Sequence, residues 1–181
     1  MVTIAIGYGQ TQCGYVVRIT GRGTMREGRT MVECINRADL AGAGRITVDL
    51  TATDYLDSTC LGSLVALHQR FNAGGADRFQ VAASAAQLSR LFGGTRLDRL
   101  LKRFPDAIHV AAWQEIPTAV MDGPTLADFV IDCHRRLAEL GGNDSASFLL
   151  VAELLARQER AAGRTPTSGG TDAASTTGAP A

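Results

Sequence analysis

The chain lacks a long apolar run and lacks an excess of charge of either sign. No stretch approaches the ~20 apolar residues of a bilayer span, so no membrane span is expected. Basic and acidic residues number 18 each. That balance argues against a direct nucleic-acid role or a polybasic membrane surface. Cysteines are few, and no two of Cys13, Cys34, Cys60 and Cys133 have CxxC spacing. Each sits among apolar neighbours, so buried free thiols are expected, as in a reducing cytoplasm. Histidine is scarcer still. His68, His109 and His134 fall on different elements without metal-ligand spacing, so neither a metal nor a cofactor is expected. The first residues, Met1-Val2-Thr3-Ile4-Ala5-Ile6, have no basic leader and soon meet Gly7. They read as a strand rather than a signal peptide.

What is present is organised around residues 46–65. Ile46, Val48 and Leu50 alternate with Thr47 and Asp49, the period of a strand. From Leu61 the apolar residues Leu61, Leu64, Val65 and Phe71 take helical spacing. Between the two patterns stand Asp57-Ser58-Thr59, residue types that open helices. A small hydroxyl is thus delivered to a helix start just after a strand.

The rest of the chain alternates strand and helix. Strands are expected at 2–6 and 14–20, with turn chemistry at Tyr8-Gly9-Gln10, and further strands at 45–50, 78–82 and 107–111. Helices are expected at about 25–40 and 58–73, from a Ser84 cap through Phe92, and as one turn at Arg96–Leu101. Two leading strands without a helix between them imply one antiparallel pair in an otherwise crossover-connected α/β sheet. After Trp113 the pattern becomes helical. Leu126, Phe129, Val130, Cys133, Leu137 and Leu140 mark one amphipathic helix, and Phe148, Val151, Leu154 and Leu155 mark a second. Such a hairpin should bury its stripes against each other and against the preceding domain or a second copy of the chain. Beyond Gly163 nearly all residues are Gly, Ala, Ser, Thr or Pro, so disorder is expected. The expected organisation is therefore a domain over 1–112, a helical extension over 113–163 and a tail over 164–181.

Enzyme readings find little support. Ser58 lacks the G-x-S-x-G elbow of serine hydrolases. Gly21-x-Gly23 follows a strand, but the third glycine of a dinucleotide fingerprint would fall at Arg26. His68 lies on the apolar side of its helix and reads as a half-buried packing residue. For Asp57-Ser58-Thr59 the plain reading is a helix cap. If Asp57 caps through the Cys60 amide, Ser58 occupies the first turn with its hydroxyl exposed. A phosphate there would add about −1.5 to −2 charges, which a helix N-terminus tolerates. The added charge would act on an interface rather than on the fold.

The stretch Ile46–Leu67, with its Asp57-Ser58-Thr59-Cys60-Leu61-Gly62 core, resembles the STAS domain of bacterial anti-sigma factor antagonists. Gly74-Gly75, the run Ala83–Phe92 and Leu97-Asp98-Arg99-Leu100-Leu101 agree in order and spacing, so the resemblance covers about residues 3–111. It implies a mixed sheet of four or five strands with helices on one side. It also implies a phospho-acceptor at Ser58. The writer of that phosphate would be a GHKL-type serine kinase that doubles as the anti-sigma factor, and a phosphatase would reset the switch. The partner surface would include Asp57, Ser58, Thr59, Leu61 and Gly62, together with Arg22 and Thr24. Family members usually carry an acidic Gly-Glu-x-Asp loop after strand two, where this chain has Gly21-Arg22-Gly23-Thr24. Arg22 in that loop could pair with a phosphate on Ser58. The alternative reading is an unmodified STAS subunit of a larger assembly, an ABC transporter or a signalling scaffold.

Overall fold

The computed structural model describes residues 5–104, 108–117 and 123–163. The tail expected to be disordered, 164–181, lies outside the described residues. The strands are β1 (Ile6–Thr11), β2 (Gly14–Ile19), β3 (Gly21–Gly23), β4 (Arg45–Asp49), β5 (Thr53–Leu56), β6 (Phe79–Ala82), β7 (Arg103–Phe104) and β8 (Gln114–Glu115). The helices are α1 (Met25–Leu40), α2 (Ser58–Phe71), α3 (Ala85–Phe92), α4 (Leu97–Leu100), α5 (Gly123–Glu139) and α6 (Ser145–Ala161). Six strands form one sheet in the order β7-β6-β4-β2-β1-β8, and β3 pairs with β5 in a two-stranded ribbon. The pairings β2–β4, β4–β6 and β6–β7 are parallel, while β1 is antiparallel to both its neighbours. The fold is thus a mixed α/β sheet.

Period-2 alternation sorts the strands into two faces. Tyr15, Val17, Ile19, Ile46, Val48, Phe79 and Val81 point into one core with Met31 and Ile35 of α1 and Leu64 and Phe71 of α2. The opposite face carries Val16, Arg18, Thr47, Asp49 and Gln80, and it too is covered. Val110 lies over Gly9, where a Cβ would sit 2.2 Å from a Val110 methyl. That contact explains two departures from the sequence pattern. Gly9 is a strand residue that admits a close neighbour, so β1 runs through Tyr8-Gly9-Gln10 and the turn falls at Gln12-Cys13. Cys13 is in consequence exposed, unlike the buried free thiols Cys34, Cys60 and Cys133. Residues 108–111 form no strand; they cross the back of the sheet, and the short β7 and β8 take its edges.

The polar pair on that back face controls the turn toward α2. Arg18 and Asp49 are directly paired across β2 and β4. The Arg18 Nε and Nη2 donate to Asp49 Oδ2 at 2.9 and 2.7 Å. The other carboxylate oxygen accepts from the Thr51 amide at 2.9 Å and the Thr51 hydroxyl at 2.6 Å. Asp49 is wholly inaccessible to solvent, and the Trp113 ring lies 3.9 Å from the guanidinium carbon. Around the same turn, Thr53 Oγ1 donates to the Ile19 carbonyl and Gln87 Nε2 to the Thr51 carbonyl.

The C-terminal helices form a hairpin, as expected, and α5 packs along α2. The buried face of α6 differs from the expected stripe. Ala152 and Ala156 are buried against Ile131 of α5, with Leu155 partly buried beside them. Val151 and Leu154, with Leu149 and Leu150, stay exposed. Small residues let two helices approach closely, so the alanines rather than the larger side chains occupy the seam. Among the described residues no helix is long and apolar enough to cross a membrane.

The Arg18–Asp49 geometry sets an expectation. Arg18→Met leaves a buried carboxylate without its cation and should cost about 3 kcal/mol, at the low end for a broken buried pair. Arg157→Met, which removes only an exposed i,i+4 contact to Glu153, should change stability by less than about 0.5 kcal/mol. Urea unfolding of the two variants against wild type measures both.

Candidate functional site

The site begins at Asp57. It precedes α2 in extended conformation (φ −80°, ψ 169°), and its Oδ1 accepts from the Cys60 amide at 2.8 Å. This is the cap expected from the sequence. The second oxygen does something the sequence did not reveal: Oδ2 accepts from the Met25 amide at 2.8 Å, in the first turn of α1. One carboxylate therefore serves two helix N-termini, where its charge also suits both dipoles. Thr24 caps α1 in a capping box with Glu27. The β3–β5 ribbon aligns these pieces, since Gly23 pairs with Leu56 and the Asp57 amide donates to the Gly23 carbonyl at 2.9 Å.

The residues proposed from sequence separate into two groups. Thr24, Asp57 and Ser58 come together at the start of α2, while Arg22 lies in β3 beside Tyr55. Arg22 spends its guanidinium on the Tyr55 ring, 4.3 Å away, rather than on Ser58. Thr59, Leu61 and Gly62 are buried in the body of the molecule. Leu61 belongs to the main core, and Thr59 is only 5% exposed. The first half of α2 is enclosed on nearly every side. Its Cys60 backbone and Ser63 hydroxyl lie 3.0 Å from where a Cβ on Gly28 of α1 would stand.

Ser58 is not exposed as the sequence suggested; it is half-buried, because α5 crosses over it. Its Oγ lies 2.9 Å from Nε2 of His134. The Nδ1 of that ring lies 2.8 Å from the Val130 carbonyl. A carbonyl only accepts, so Nδ1 carries a proton, and in the neutral ring Nε2 offers its lone pair to the Ser58 hydroxyl. His134 is only 6% exposed and meets the Phe148 ring edge-on, with ring centres 6.1 Å apart. Sequence reasoning missed this residue. Its only signal was its place four residues after Val130 and three before Leu137, on the apolar stripe of α5.

The approach of α5 depends on Gly62. A Cβ on that residue would stand 2.4 Å from the Cys133 carbonyl oxygen and 2.6 Å from its Cα. Ser63 Oγ lies 3.7 Å from Cys133 Sγ and donates to the Thr59 carbonyl at 2.8 Å. Burial pushes the Cys133 thiol up to about 12 and the Cys60 thiol well above its ordinary value, so neither is a nucleophile in this packing. No protein-family model matches the chain, and no curated protein matches it. The geometry of α2 and its neighbours therefore carries the functional reading.

A hydroxyl bonded to an imidazole has the first link of a nucleophile–base pair. The second link is a backbone carbonyl rather than a carboxylate. A cavity of about 690 Å³ lined by Tyr8, Tyr15, Cys34 and Arg37 lies elsewhere, at the far end of α1. Among the described residues no group of three His, Cys, Asp or Glu side chains could hold a metal. What the arrangement does offer is a hydroxyl at a helix N-terminus, flanked by a fixed carboxylate and covered by a docked helix.

The shared cap is testable. Asp57→Ala removes the side-chain acceptor from two helix starts, each cap being worth about 1 kcal/mol, and should lower stability by about 2 kcal/mol. Asp57→Asn keeps one acceptor oxygen and should lose about half of that. Chemical denaturation of the two variants distinguishes a shared cap from a single one.

Proposed function

We propose that the chain is a phosphorylatable anti-sigma factor antagonist of the STAS type, working by partner switching and controlled at Ser58. The observation that carries this reading is the placement of Ser58 as the first residue of α2, directly after its capping Asp57. A phosphate at that position meets the positive end of a helix, so the fold tolerates it. The same phosphate alters the one surface where β3, β5 and α2 converge. The partner is then a serine kinase of the GHKL type that also serves as anti-sigma factor, with a phosphatase to reverse the mark. Ser58 is favoured over Thr59, which is nearly inaccessible beside it.

The Ser58–His134 hydrogen bond favours a second reading, in which the hydroxyl is structural and the chain is an unmodified STAS subunit of a larger assembly. Mass spectrometry separates the two. Protein purified from its own host should carry phosphate on the peptide containing Ser58, and a cognate kinase should label wild type but not Ser58→Ala. Equal labelling of Ser58→Ala would move the mark elsewhere. Absence of any phosphate, with a loss of only about 1 kcal/mol in Ser58→Ala, would leave the structural reading.

A further inference from the structure

The geometry points to the α5–α6 hairpin as a reversible cover of the Ser58 face of α2, latched by the Ser58–His134 hydrogen bond and released when a bulky anion is placed on Ser58. It rests on the regulatory reading only for the identity of the natural trigger.

Three observations converge on it. The hairpin meets the rest of the molecule through α5 against α2 and, at its turn, through the Asn143 amide, which donates to the Gly94 carbonyl at 3.2 Å. At the start of the α5–α2 surface His134 closes onto Ser58. One turn further along α2, Gly62 admits the Cys133 backbone. Both contacts are intolerant of added volume. The imidazole is held from behind, with Nδ1 committed to the Val130 carbonyl and the ring edge-on to Phe148. A phosphoryl group on the Ser58 oxygen removes the hydroxyl proton that bridges to Nε2. It also adds three oxygens on the side chain whose Oγ lies 2.9 Å from the His134 ring. His134 must then retreat, and α5 retreats with it, since the ring and Cys133 belong to the same helical turn.

Beneath the cover most of the core belongs to the α/β domain, with Leu137 of α5 in it and Leu140 and Phe148 packed against it. The domain's own share draws on the sheet, α1, α2 and α3. Two helices with their own seam at Ile131, Ala152 and Ala156 can part from that domain as one body. What they uncover is the N-terminal half of α2, the surface that carries Ser58 and Gly62. The hairpin thus holds a place that any partner docking on this face must take over.

The cysteines test this within the full chain and without any partner or kinase. Cys13 is exposed, Cys60 lies wholly inside the α/β core, and Cys133 sits on the face of α5 that is buried against α2. Iodoacetamide labelling, read residue by residue by mass spectrometry, gives three independent rates in one molecule. In wild type Cys13 should react fast and the other two slowly. Two variants should open the cover by different routes. Ser58→Glu adds bulk and charge at the latch. Gly62→Ala wedges the seam with a single methyl while favouring the α2 helix itself. In each, Cys133 should label at least about tenfold faster than in wild type while Cys60 stays protected, as local opening without global unfolding requires. Cys133 remaining as protected as Cys60 in both variants would overturn the proposal. So would Cys133 and Cys60 becoming reactive together, because the hairpin and core would then open as one unit. Neither result depends on whether the host phosphorylates Ser58, so failure here and failure of the regulatory reading are told apart.

Discussion

The carboxylate of Asp57 is the interaction on which the site depends. One oxygen takes the Cys60 amide and the other takes the Met25 amide, so the starts of α2 and α1 are tied to the same side chain. Because Asp57 occupies the cap position, the next residue must be the first of the helix, and its side chain leaves the axis toward α5. Because the same carboxylate holds α1, the turn after β3 and the turn after β5 move together. The buried Asp49 carboxylate, paired with the partly exposed Arg18, supports this from below by fixing Thr51 at the exit of β4. Between Asp49 and Ser58 side chains hold the turn at Thr51, Thr53 and Asp57, and pairing with β3 holds the rest.

Much of this was legible from the residues alone. The bounds of α1, the cap of α2 by Asp57 and the cap of α3 by Ser84 follow from local chemistry, in which a short polar side chain satisfies amides one turn away. The alternation of Ile46, Val48 and Leu50 marked the central strand for the same reason: it is a local periodicity. What depended on distant neighbours was not legible. Gly9 looked like a turn residue, and only Val110 lying across it shows why a glycine stands in the middle of a strand. Val151 and Leu154 completed a plausible apolar stripe, yet the seam with α5 went to Ala152 and Ala156, because close packing rewards small side chains where two helices cross.

The site shows the same division. Asp57 and Ser58 could be singled out because both act within one turn of chain. His134 could not, because its significance comes from a partner 76 positions away in sequence. On an amphipathic helix a single histidine among Val130, Cys133 and Leu137 looks like core filler. Gly62 is the complementary case. Within the resemblance it was one residue of a motif; in the structure it is the point at which another helix makes backbone contact.

These two residues also explain why the covered surface is suited to exchange. A single side-chain hydrogen bond such as Ser58–His134 contributes only about 1 kcal/mol net, since both groups bond water when apart. Burial of Leu137 and its neighbours against α2 supplies more, at about 1.5–3 kcal/mol for each fully buried large side chain. The hydrophobic share holds the hairpin in place but does not depend on the state of Ser58. The polar share is small, yet it sits where an added group on Ser58 would have to share the start of α2 with the His134 ring, itself backed by Phe148. On the proposal, the asymmetry sets the direction of control: the hydrogen bond adds little, whereas an anion in place of its proton needs more room than the 2.9 Å contact leaves. In the proposed switch, a modest latch over a sizeable apolar seam keeps the hairpin docked in the unmodified chain and makes it sensitive to one added group.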